Sequence, residues 1–189
     1  KPFEARERVY GILHTVYAQQ MLIPWLALKG LGVHLGIMNF ERGVGDHHIA
    51  NSMFSAVYPN LPHEVFLSTI AGMHWVYEPR ILQAWGRSAV EAAVLGLAAS
   101  GSNRVEVMRR CYPETAHSPH AFAEAHEVAR RLTSSDDFTQ AVGERAAETA
   151  RYYDLPHAKE RFMAMLDAHA DANGTVPAGS IEEISAIGD

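Results

Sequence analysis

Apolar side chains recur every three or four residues along almost the whole chain, and prolines cut that pattern into segments. Such spacing lines one face of an α-helix, whereas a half-buried strand alternates from residue to residue. From Glu4 to Gln20 the series Val9, Leu13, Val16, Tyr17 and Gln20 predicts an amphipathic helix that stops before Pro24. The apolar stretch from Trp25 to Phe40, interrupted by Gly30, Gly32 and Gly36, predicts short helical pieces. Helical spacing returns over Asp46 to Val57, and Pro59-Asn60-Leu61-Pro62 reads as a turn. His63 to Trp85 is the longest periodic run, with a kink expected at Pro79.

Ser88 to Ala99 is alanine-rich and apolar on nearly every side, which predicts a buried helix closed by Gly101-Ser102-Asn103. Further helices are predicted from Asn103 to Cys111, from Ser118-Pro119 to Thr133, from a cap at Ser134 to Asp137 as far as Tyr153, and from Pro156 to Ala172. No alternating stretch predicts a strand. The expected fold class is therefore all-α, a bundle of about seven helices. Residues 1–172 are expected to form a single helical domain and 173–189 a flexible tail.

With 48% hydrophobic and 20% charged residues, a chain of 189 residues can bury a sufficient core without a staple. The single Cys111 cannot form an internal disulfide, which points to a reducing, cytoplasmic setting. A net charge of −6, with Arg104, Arg109 and Arg110 as the one local basic group, argues against a nucleic-acid partner. Met21 to Met38 is the one stretch that suggests a membrane span, but Pro24, Lys29, His34 and its glycines make it buried core. No signal-peptide pattern is evident.

Ionised carboxylates are costly to bury unless paired or bound to a metal, so Glu and His on apolar faces are the candidates for chemistry. Glu78 stands out, with Ala71, His74, Trp75, Ile81, Leu82 and Trp85 at helical neighbour positions; pairing with His74 or Arg80 would explain it as well as a metal would. Glu41 and His48 lie seven residues apart, on one face if helical, although Gly43 and Gly45 also suit a polar loop. His120, Glu124 and Glu127 share a face at i, i+4 and i+7, the way bundles present ligands to a dinuclear iron or manganese centre, or simply a solvated face.

The order Glu41…His48, then Tyr77-Glu78-Pro79-Arg80-Ile81, then His120-x-x-x-Glu124-x-x-Glu127 resembles the ligand series of the heme-oxygenase-like non-heme diiron oxidases and oxygenases. The resemblance extends from Arg6 to Phe162 and implies a heme-oxygenase-like helical bundle. It further implies two iron ions, with manganese as the alternative metal, and dioxygen as co-substrate. Glu41, His48 and His120 would be terminal ligands, Glu78 the catalytic bridge, and Glu124 with Glu127 would complete the second iron. Trp75, Tyr77 and Trp85 would line the pocket for a small amino-acid-like or carboxylic-acid-like substrate. The sequence departs from the family where Glu124 and Glu127 replace an Asp and a His, where the gap from His48 to Glu78 is short, and where an expected leading helix is missing or truncated.

Two other readings accompany this one. The first is a cofactor-free substrate-binding protein on the same helical fold. The second is a helical subunit of a larger assembly, a homo-oligomer or with a partner subunit, in which Met21 to Met38 is covered. Glu114-x-x-His117, between Pro113 and Pro119, reads as a loop, and His14 as a core histidine. There is no phosphate-cradling glycine motif and no Gly-x-Ser-x-Gly elbow.

Overall fold

The computed structural model of this chain describes residues 1–12, 24–31, 34–37, 56–57, 61–80 and 85–173. Its architecture is α/β, not the expected all-α heme-oxygenase-like bundle. Among the described residues six strands, β1 (Glu7–Ile12), β2 (His34–Ile37), β3 (Ala56–Val57), β4 (Met73–Glu78), β5 (Ala98–Ser102) and β6 (Ala116–His117), form one sheet in the order β3-β2-β1-β4-β5-β6. Every pairing is parallel. Among the described residues, besides a helical stretch over 24–28, the helices are α1 (His63–Ile70), α2 (Arg87–Val94), α3 (Glu106–Cys111), α4 (Phe122–Ser134), α5 (Asp136–Ala150) and α6 (Leu155–Asn173).

The helix expected from Glu4 to Gln20 is replaced over its described part by β1. The long run from His63 to Trp85 divides into α1, a turn at Ala71-Gly72 and β4. All six residues of β4 are buried. A parallel strand covered on both faces has no solvent side, so its side chains need not alternate, and its aromatic and β-branched run mimics a greasy helix. The buried helix expected over Ser88 to Ala99 is likewise α2 followed, after Gly96, by β5.

Contact between elements divides the chain into two compact units, Lys1–Arg151 and Tyr152–Asp189. The first holds the sheet. Its core joins Tyr10, Trp75 and Val76 of the strands to Ala89, Ala92 and Ala93 of α2, Met108 of α3, and Val142 and Ala146 of α5. Burying a large side chain of this kind contributes about 1.5–3 kcal/mol. Tyr112 donates its hydroxyl to Leu97 O at 3.1 Å, and Thr139 of α5 donates to Leu132 O of α4 at 2.6 Å, so buried polar groups tie neighbouring elements together. In the second unit α6 exposes Leu155, Phe162 and Met165, and Arg161 lies over the Tyr152 ring at 3.7 Å. The expected tail beyond Asn173 lies outside the described residues. No helix among the described residues is long and apolar enough to cross a membrane.

Small residues let β5 sit against β4. A Cβ built on Gly101 would stand 2.8 Å from the carbonyl oxygen of Glu78, backbone against backbone. Gly101→Ala is therefore expected to lower the unfolding free energy by about 1–3 kcal/mol, read from urea denaturation, through overpacking at the strand pair.

Candidate functional site

In a parallel sheet whose strand order reverses direction, the connections on either side of the reversal leave a crevice outside the carboxyl ends of the strands. Here the reversal falls between β1 and β4. The chain leaves β4 at Tyr77-Glu78 and continues through Pro79-Arg80. Both α1, which follows β3, and α2, which follows β4, begin at this same edge. Their amino ends carry unspent backbone N–H groups and positive dipole ends, a setting that favours an anion.

A cavity of about 310 Å³ lies there, lined by Leu61, His63, Phe66, Arg80, Arg87, Ser88 and Glu91. His63 is the first residue of α1, and Arg87 the first of α2. His63 Nε2 and Arg87 Nε each donate to Glu91 Oε1 at 2.9 Å, so one carboxylate gathers both helices' first residues. Gly86, at φ +95°, makes the turn into α2, and a side chain there would also run into Val105. L residues other than Gly rarely take that conformation, so the start of α2 depends on this position.

Arg80 owes its placement to Glu78. The Glu78 side chain is buried, with 1% of the residue's area exposed. Its Oε1 accepts the Arg80 backbone N–H at 3.2 Å, and its Oε2 lies 3.5 Å from Arg80 Nη1. Burial pushes the carboxyl above its ordinary 4.5, and the charge and backbone N–H of Arg80 offset part of that rise. One strand position back, the Tyr77 hydroxyl donates to His117 Nε2 at 2.9 Å while His117 Nδ1–H donates to Ser118 O at 2.9 Å. That pairing fixes the His117 tautomer. Burial raises the Tyr77 phenol and lowers the His117 imidazolium, which keeps both neutral.

The residues singled out from the sequence are scattered. Glu41 and His48 lie outside the described residues. His120 is exposed just before α4. Glu124 accepts the Ser118 backbone N–H at 3.3 Å, and Glu127 forms an exposed pair with Arg130. Trp75 is core, Tyr77 is tied to His117, and Trp85 is half exposed just ahead of α2. Of the whole set, Glu78 stands at the crevice edge beside Arg80. Sequence reasoning missed His63, Arg80 in its pocket role, Arg87 and Glu91. The available signal was the passage from the apolar run of β4 through Gly86 into an alanine-rich helix, which is a strand–turn–helix pattern.

No protein-family model and no curated protein sequence matches the chain. Solved structures do. The α,α-trehalose 6-phosphate synthase of Burkholderia multivorans superposes with a TM-score of 0.67 at 14% identity, over 91% of this chain and 44% of its own. The UDP-forming trehalose-phosphate synthase of Burkholderia xenovorans, solved with glucose-6-phosphate, gives 0.66 at 12% identity, over 86% of this chain and 43% of its own. The sucrose-phosphate synthase of Thermosynechococcus elongatus gives 0.67 at 13% identity, over 92% and 47%. This chain thus spans about half the length of these proteins. Its fold is the Rossmann-like one shared with these synthases.

That fold overturns the diiron reading and its two helical alternatives, all of which presuppose a helical bundle. Among the described residues no group of three or more His, Cys, Asp or Glu side chains gathers to hold a metal ion. Two irons, dioxygen chemistry and an oxidoreductase role lose their basis together.

The buried Glu78 carboxyl supplies a prediction with a defined sign. A group raised in the folded state favours folding fully below its ordinary pKa, and that contribution fades as pH rises through the folded value. The wild type should therefore lose stability relative to Glu78→Gln as pH climbs from about 4 to 8, and the two curves should converge in acid. Urea midpoints across that range check it; parallel profiles would show that Glu78 carries no raised pKa.

Proposed function

We propose that this chain is the nucleotide-sugar-binding part of a glycosyltransferase, with the diphosphate of the donor held between Arg80, Arg87 and the amino ends of α1 and α2. The observation that carries this reading is the cavity where two guanidinium groups and two helix amino ends converge at the carboxyl edge of β4. The likeness to a UDP-forming synthase supports the class of donor.

The charges suit the reaction. Transfer of a sugar from such a donor leaves a nucleoside diphosphate carrying more negative charge than it had in the ester. Donors already fixed in place stabilise that developing charge without reorganising. Arg80 is fixed by Glu78 through one backbone and one side-chain contact. Arg87 pairs with Glu91 on the surface of α2 and can turn toward a diphosphate, leaving the Glu91 carboxylate to accept hydroxyl groups of the ribose or the sugar. Phe66 and Leu61 supply the apolar wall. Recognition of the sugar acceptor is assigned to no residue of this chain.

Calorimetric titration of the full chain with UDP and UDP-glucose tests the reading. We expect one saturable site, weakened by added salt. Arg80→Ala or Arg87→Ala should cost about 1.5–3 kcal/mol, roughly ten- to hundredfold in Kd, with circular dichroism unchanged. Absence of saturable binding for UDP, ADP and GDP and their glucose esters at millimolar concentration would rule it out.

A further inference from the structure

The opposite edge of the sheet, where β1 and β4 begin, holds a second cavity of about 380 Å³ lined by Phe3, Glu4, Arg6, Arg8, His74, Asp136 and Gln140. Two polar groups beside it are buried without a hydrogen-bond partner, Arg6 Nε and His74 Nε2. The rest of the Arg6 guanidinium is engaged, Nη1 donating to Gly96 O at 3.1 Å and Nη2 lying 3.4 Å from Leu95 O. His74 is 3% exposed, and the nearest charged oxygen to its Nε2 is Asp136 Oδ1 at 3.5 Å, beyond good hydrogen-bond geometry. Buried polar groups in folded proteins nearly always have partners; Tyr10 OH and Trp75 Nε1 also lack one, but Arg6 and His74 are the two that line this cavity.

We propose that this cavity is a binding site for a small oxyanion, a phosphate or carboxylate group, which accepts from Arg6 Nε–H and His74 Nε2–H. The donors set the class. An arginine Nε–H can only donate, so its missing partner is an acceptor. Arg8 Nη2 pairs with both Asp136 oxygens at 2.7 and 2.8 Å, so these two charges offset each other and recognition rests on the two N–H donors. The Phe3 ring lies beside both side chains. It lies 5.0 Å from the His74 ring, and the Arg6 guanidinium carbon sits 5.7 Å from its centroid. Phe3 belongs to a three-residue 3-10 turn with no buried member, so its side chain can swing aside with little loss of core packing. This site is separate from the crevice at the carboxyl edge, and its existence does not depend on what binds there.

Thermal melts of the full chain test it, with inorganic phosphate and acetate as separate probes. Arg80→Ala/Arg87→Ala protein serves as the background, so that binding at the carboxyl edge does not contribute. We expect a saturable rise in Tm with at least one probe, and the probe that acts tells phosphate from carboxylate. Arg6→Lys keeps the charge and loses the Nε–H, and should raise the half-saturating concentration at least tenfold. Phe3→Ala should lower it. A Tm that does not move with either anion, or that moves equally in the background protein and in Arg6→Lys, overturns the proposal. Should Arg6→Lys fail to fold, Phe3→Ala with an unchanged half-saturation does the same.

Discussion

Water reaches almost none of β4. Met73 to Glu78 are buried on both faces of the sheet, and yet His74, Tyr77 and Glu78 are polar. Burial without a partner costs more than most single contacts return, so each of these residues dictates what stands beside it. Tyr77 requires His117 on β6, two strands away in the sheet. Glu78 requires Arg80, which turns the chain at the carboxyl edge and brings a guanidinium to the crevice. His74, at the other end, draws in Phe3, Tyr10 and Asp136. One strand thus sets the chemistry of both edges.

Helices α3, α4, α5 and α6 were legible in the sequence because apolar residues recur along them at helical spacing between caps and prolines. In α4, Ala125, Ala129 and Leu132 are buried while Glu124, Glu127 and Arg130 face water, which is the spacing that predicts a helix. Ser135 caps α5 by accepting the Phe138 N–H at 3.3 Å, close to where a cap is expected between Ser134 and Asp137. The sheet was not legible for the converse reason. Its strands are short, β4 and β5 are buried throughout, and β5 is built from Ala98, Ala99, Ser100, Gly101 and Ser102, residues with little strand preference. With no alternation to read, chance spacings of three and four decided the reading.

The candidate site shows the same division. That Glu78 lies among apolar neighbours was visible before the fold, and so was the alternative of a pair with Arg80, which the structure shows. What no spacing could reveal is that His63 and Glu91, 28 residues apart, meet at a cavity with Arg80. They sit on different helices, and only parallel topology, which starts every following helix at the same edge, brings them together. The missing glycine-rich motif also misled. Here the anion-favouring edge is built from helix ends and guanidinium groups, with Gly86 needed for its left-handed backbone.

The two edges are not independent, because α2 runs between them. Its amino end begins at Arg87 in the first cavity, and its carboxyl end, at Leu95 and Gly96, is held by the guanidinium of Arg6 beside the second. A helix carries partial positive charge at its amino end and partial negative charge at its carboxyl end, and a cation at the latter contributes about 0.3–1 kcal/mol. Arg6 therefore compensates the end of α2 that needs a cation, while the end that needs an anion opens into the crevice. Gly143 of α5 packs directly on the Gly96 backbone, where a side chain would collide with the carbonyl that accepts from Arg6 Nη1. The close approach of α5 and the guanidinium of Arg6 thus fix the same peptide from two sides. With its far end held in this way, α2 presents Arg87, Ser88 and Glu91 to the first cavity from a fixed base, and the geometry at one edge of the sheet depends on contacts made at the other.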